Sequence, residues 1–149
     1  MKIKYNIEIK DDAKLFIENF LSEFDTSQLD HITISHTKTG MFTGRCFYPS
    51  KKHNREKYFI RIGVPTKIYP YNYKTYVGVK FTERDGVTYS RPIEDEMTVH
   101  SIEDSLMLIF GHEIYHFLRK SRQVGGKNTQ SQANAYGFQM LQEYHQYFK

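Results

Sequence analysis

Two histidines and a glutamate are the residues of this sequence best spaced for chemistry. In GHEIYHFLRK, residues 111 to 120, His112 and His116 stand four apart with Glu113 between them. At 100° per residue, positions i and i+4 project from nearly the same side of a helix, so both imidazoles can hold one metal ion. Glu113 points to the adjacent side. There a carboxylate can take a proton from water at an open coordination position and later deliver it to a leaving amine. Zinc is the expected ion, because coordination lowers the pKa of water from 15.7 to roughly 7. The only cysteine, Cys46, has no intrachain partner, so the metal donors must be His, carboxylate or amide groups.

GHEIYHFLRK resembles the active-site helix of the zincin metallopeptidases, especially the compact single-domain gluzincins and SprT-like proteins. In gluzincins the third zinc ligand is a Glu on the following helix, often within E-x-E-A-D or E-x-E-A-N. Here Gln130-Ser131-Gln132-Ala133-Asn134 matches that pattern with both glutamates replaced by glutamines. The similarity spans roughly residues 101 to 142. It implies a zincin-like fold, a bound zinc ion, and hydrolysis of peptide bonds in a protein or peptide substrate. It also implies that Asn134 orients a ligand histidine through the other ring nitrogen.

Helical geometry chooses between the two glutamines. Gln130 falls on an inward stripe with Ala133, Gly137 and Leu141, whereas Gln132 lies about 120° from the centre of that face. Gln130 is therefore the third-ligand candidate, and small Ala133 and Gly137 let the two helices approach closely. An amide oxygen is neutral and a weaker donor than carboxylate, so zinc should be held less tightly. The alternative is that Gln130 bonds backbone donors in the first helical turn, with solvent, His100 or His145 as third ligand. His100 would need about 18 Å of helix rise to reach His112. A catalytically weak or inactive zincin-like module, binding a protein or nucleic-acid partner, is the rival to an enzyme.

A peptidase also needs a donor for the oxyanion and an edge strand to pair with extended substrate. Tyr136 and Tyr144 on the last helix are the candidate donors, although tyrosines on such a stripe also serve packing. The stretch IYPYNYKTY, 68 to 76, could line a cleft, stack on bases, or form a strand edge or loop.

The elements that must position these groups can be read from periodicity. Residues 2 to 10 alternate as a half-buried strand, and Asp11 or Asp12 can cap a helix carrying Ala13, Phe16, Ile17, Phe20, Leu21 and Phe24. Strands are expected at 31–37, 43–48, 57–64 and 76–83, with an Asp85-Gly86 hairpin returning through Val87 and Tyr89. Ser101 with Asp104 resembles a capping box for the metal helix, which basic residues and Gly125-Gly126 end. Asn128 or Thr129 starts a last helix with Ala133, Tyr136, Gly137, Met140, Leu141, Tyr144 and Phe148 on one face.

The expectation is one α+β domain over residues 1–149, with a mainly antiparallel twisted sheet, an N-terminal helix, an active-site helix and a C-terminal supporting helix. No apolar run approaches membrane-spanning length and the N-terminus lacks a signal-peptide core, so a cytoplasmic protein without membrane association is expected. The net charge is +4. Its groups, Lys51, Lys52 and Arg55, then Arg119, Lys120, Arg122 and Lys127, are either solvated cations or a weak nucleic-acid contact.

Overall fold

The alternating isoleucines of the first half build one face of a four-stranded sheet. Ile32 and Ile34 of β2 (Leu29–His36) face the core beside Ile60 and Ile62 of β4 (Tyr58–Val64), and all four are fully buried or nearly so. The strand order is β1 (Lys2–Tyr5), β2, β4 and β3 (Thr43–Phe47). The computed structural model describes residues 1–66 and 68–147.

The sheet is mixed, which corrects the mainly antiparallel arrangement expected above. β1 pairs β2 in parallel, β2 pairs β4 in parallel, and only the β3–β4 pairing is antiparallel. The reason lies in the connections. Helix α1 (Asp11–Leu21) separates β1 from β2 as a crossover, and a crossover returns the chain in the same direction. Alternation specifies which face a residue takes and is silent about strand direction.

Several boundaries differ in instructive ways. β1 stops at Tyr5 although the alternation continues to Lys10. Asp11 and Asp12 sit inside the first turn of α1 rather than capping it, and Lys10 occupies the cap without a side-chain bond. The backbone N–H of Lys10 donates instead to Glu103. The tyrosine-rich stretch is the start of β5 (Tyr71–Arg84), which pairs with β6 (Val87–Val99) as a separate antiparallel hairpin. Its turn is the expected Asp85-Gly86, with both residues at positive φ (54° and 77°).

Helix α2 (Ile102–Lys120) is buried almost all round. Leu106, Phe110, Ile114 and Phe117 have no exposed surface, and each large apolar side chain so buried contributes about 1.5–3 kcal/mol. Ser101 caps α2 by accepting from the N–H of Asp104, while Asp104 reaches back to the N–H of His100. The helix stops at Ser121 and Arg122, before the glycines, with Arg122 at positive φ. Helix α3 (Gln130–Tyr147) covers the outer side of α2, starting after Thr129, whose hydroxyl accepts from Gln132 N–H. Phe148, expected on the α3 stripe, lies outside the described residues. Among the described residues, no helix is long and apolar enough to cross a membrane.

Candidate metal centre

The two helices meet backbone to backbone where the candidate ligands lie. A Cβ on Gly137 would come within 2.4 Å of the Leu108 carbonyl oxygen, and one on Gly111 within 2.6 Å of the Gly137 Cα. No other residue fits either position without moving a helix. This contact brings the first turn of α3 alongside the last turns of α2, so Gln130 faces His116.

Each imidazole is oriented by an amide. His112 Nδ1 lies 2.7 Å from Asn134 Oδ1, and His116 Nδ1 lies 2.6 Å from Asn128 Oδ1. An amide oxygen can only accept, so both Nδ1 atoms carry the proton and donate. The Asn134 orientation is fixed by its other end, which donates to the Thr75 hydroxyl and the Tyr76 carbonyl, both at 3.0 Å. With the proton on Nδ1, a neutral ring presents its Nε2 lone pair.

Those lone pairs converge. His112 Nε2 and His116 Nε2 are 3.3 Å apart, and Gln130 Oε1 is 3.3 Å from His116 Nε2. With both rings neutral, three acceptors face one another, an arrangement that a proton or a cation among them relieves. Donors about 2.0–2.1 Å from a tetrahedral zinc ion stand about 3.3–3.4 Å apart, so the spacing fits. The ligand atoms of His112, Glu113 and His116 also lie within 4.8 Å of one another, so this group could hold a metal ion.

Burial sets the electrostatics. Glu113 is 4% exposed, and desolvation raises its pKa from 4.5 to about 7. Desolvation, then repulsion from His116, lowers the pKa of His112, with its hydrogen bonds to the amide groups of Asn134 and Gln130 opposing. Burial opposes an ion pair at the 3.7 Å approach of Glu113 Oε1 to His112 Nε2, because it drives both partners toward neutrality. Among the described residues, Glu113 Oε2 is buried without a hydrogen-bond partner. An orphaned carboxylate oxygen beside converging lone pairs is a group awaiting a proton or a cation.

Strand β3 forms the wall next to Glu113. A Cβ on Gly44 would strike Glu113 Cγ at 2.8 Å and Ile109 at 2.7 Å, so the close approach requires glycine. The thiol of Cys46 is pushed up to about 12 by burial and by the Glu113 charge. Among the described residues β3 is also an edge strand, paired only with β4.

The structure brings His112, Glu113, His116, Gln130 and Asn134 together. It does not bring Tyr136 or Tyr144 to them. Tyr136 packs its ring against Phe20 and Tyr115, and the Tyr144 hydroxyl donates to Asp12 at 2.9 Å. His145 is held 2.7 Å from Asp104, beside the start of α2, and the His100 backbone bonds the same Asp104, so neither replaces Gln130. Gln132 instead closes the α2–α3 loop, accepting from Lys127 N–H and the Tyr115 hydroxyl.

Two residues escaped the sequence reading. Asn128 orients His116, and its Nδ2 reaches the Tyr48 hydroxyl at 3.4 Å. The only available signal for Asn128 was an amide just before a helix that must face His116, and nothing in periodicity marks Tyr48. No family model, curated protein or solved structure matches the chain, so its functional reading rests on the geometry of these residues.

Proposed function

We propose that this chain is a zincin-like metallopeptidase in which His112, His116 and Gln130 hold zinc and Glu113 acts as general base and acid. The observation that carries the reading is the convergence of three lone pairs beside a buried carboxylate with one unpartnered oxygen. Zinc held there would supply Lewis acidity, polarising a substrate carbonyl and acidifying water.

The protein's own groups have separable tasks. Asn134 and Asn128 fix the Nδ1–H tautomer and orientation of the imidazoles so that both Nε2 atoms are aimed at one point. Glu113, with a pKa raised to about 7, is poised both to accept and to release a proton near neutral pH. The free edge of β3, running beside Glu113 through Gly44, offers backbone groups to an extended peptide. The Tyr48 hydroxyl, 3.4 Å from Asn128 Nδ2, supports the amide that orients His116.

Metal analysis and hydrolysis of a labelled unfolded protein test the reading together. Freshly purified protein should carry or regain zinc, and Glu113→Gln should keep the metal while losing turnover. Zinc below about a tenth of an equivalent, with none regained on addition, would sink it. A second reading, a module with little turnover, draws on the neutrality of Gln130, Asn128 and Asn134, which leaves the metal charge poorly compensated. Zinc-loaded wild type no faster than Glu113→Gln would favour that module.

A further inference from the structure

The face of the four-stranded sheet turned away from the helices is neither bare nor ordinary. Because side chains alternate, the residues between the buried isoleucines point outward. Cross-strand pairing places His31 beside Phe59 and Phe59 beside Phe47, in one row across β2, β4 and β3. Their rings stack: His31 on Phe59 with centroids 4.9 Å apart and 15° between planes, and Phe59 on Phe47 at 4.2 Å and 10°. All three are half-buried, on the face opposite the core isoleucines against which α2 packs.

Cations surround this column. Arg45, Arg55 and Arg61 lie 4.8, 5.4 and 5.3 Å from the Phe47 ring centre, and Arg55 and Arg61 also approach Phe59. Arg45 and Arg61 are direct cross-strand partners, an arrangement that repels unless an anion intervenes. Among the described residues, none of the three makes an ion pair with a carboxylate. In the next strand Lys2 pairs beside His31, adding charge to the same row.

A cavity of about 670 Å³ opens at the His31–Phe59 end of the column, lined also by Asn54, Arg55, Glu56 and Lys57. Asp30, on its rim, is bonded to His31 at 2.7 Å. The cavity thus offers a ring face, cations, and the acceptor oxygens of Glu56 and Asn54.

We propose that this outer face binds an unpaired polynucleotide strand. Its bases extend the His31–Phe59–Phe47 column, one nucleotide occupies the cavity, and its phosphates lie on Arg45, Arg55 and Arg61. Stacking on aromatic rings beside a basic track is how unpaired strands are held without sequence readout, because every base has a π-face. An acidic peptide would satisfy the arginines and leave the ring column unused. A duplex hides its base faces.

The probe is fluorescence anisotropy of labelled oligo(dT) of about 15 nucleotides, a length within the span of known strand-binding surfaces. Three phosphate contacts predict a slope of log affinity against log salt of about −2. Phe47→Leu with Phe59→Leu should weaken binding roughly tenfold with the slope unchanged. Arg45→Gln with Arg61→Gln should weaken it and flatten the slope to about −0.7. Oligo(U) should bind within a few-fold of oligo(dT), since nothing in the assigned contacts reads the 2′-hydroxyl. Circular dichroism establishes that each variant is folded. Should the phenylalanine pair misfold, the arginine pair alone decides by its slope. No binding at low salt, a folded phenylalanine variant that binds as wild type, or equal affinity for a duplex or an oligoglutamate peptide would overturn the proposal.

Discussion

Removing one oxygen's charge from the interior gives the sharpest check on the candidate centre. In Glu113→Gln the side chain keeps its shape and loses its ability to ionise. The folded-state pKa of Glu113, about 7 against an ordinary 4.5, corresponds to about 3 kcal/mol at 1.36 kcal/mol per pH unit. The sign follows from proton binding. Between about pH 4.5 and 7 the folded protein holds this proton more tightly than the unfolded chain, so the Glu113 contribution to stability falls as pH rises. Above about 7 the whole cost of a buried, unpaired carboxylate is present. His112 acts in the opposite sense, because its lowered pKa makes the unfolded chain the better proton binder, and its contribution rises with pH. That term is present in wild type and variant and largely cancels in their difference, leaving the coupling across the 3.7 Å contact. The amide places an N–H₂ where Oε2 has no partner, which adds a pH-independent offset of about 1–3 kcal/mol.

Urea unfolding of chelator-treated protein from about pH 4.5 to 8.5 reads the difference directly. Relative to wild type, the variant should gain about 3 kcal/mol across that range. Most of the gain should vanish with saturating zinc, since a cation beside the carboxylate favours its charged form. Parallel profiles for the two metal-free proteins would refute the reasoning. Glu113 would then be solvated and the site open.

Three further outcomes are expected. Gln130→Glu should tighten zinc binding at least about tenfold in chelator competition, because carboxylate replaces a neutral donor; unchanged affinity would remove Gln130 from the ligand set. Asn128→Ala and Asn134→Ala should each weaken zinc about 10–100-fold by releasing one imidazole, measured in the same competition. Gly137→Ala should cost about 1–3 kcal/mol in thermal or urea unfolding, since its Cβ meets the Leu108 carbonyl, and should weaken zinc by parting the helices.

The centre was legible because helical periodicity is strong and local. His112, Glu113 and His116 share a turn of one capped helix, and the stripe through Ala133 and Gly137 fixes which glutamine faces them. The long-range parts were not legible. Asn128 meets His116 through a loop whose path depends on Gly126, where a Cβ would strike Gln132 and Tyr115. Tyr136 and Tyr144 lie on the buried side of α3, yet one packs on Phe20 and the other bonds Asp12, because a helical face several turns long meets different neighbours along its length. The same limit explains the sheet. The alternation of β2 and β4 reveals their inner isoleucines and outer His31, Phe59 and Arg61, while strand direction and neighbour order come from crossovers that no short window contains.

The glycine contact between α2 and α3 has a consequence for how the centre can vary. With Gly111 and Gly137 touching through main chain, the gap between the His116 and Gln130 backbones is a ruler set by the peptide frame. Amide and carboxylate at position 130 have nearly the same reach, so they can be exchanged on that ruler without repacking any neighbour. The scaffold thereby separates two properties usually entangled in a binding site: spacing is built into the backbone, and charge is left to one interchangeable side chain.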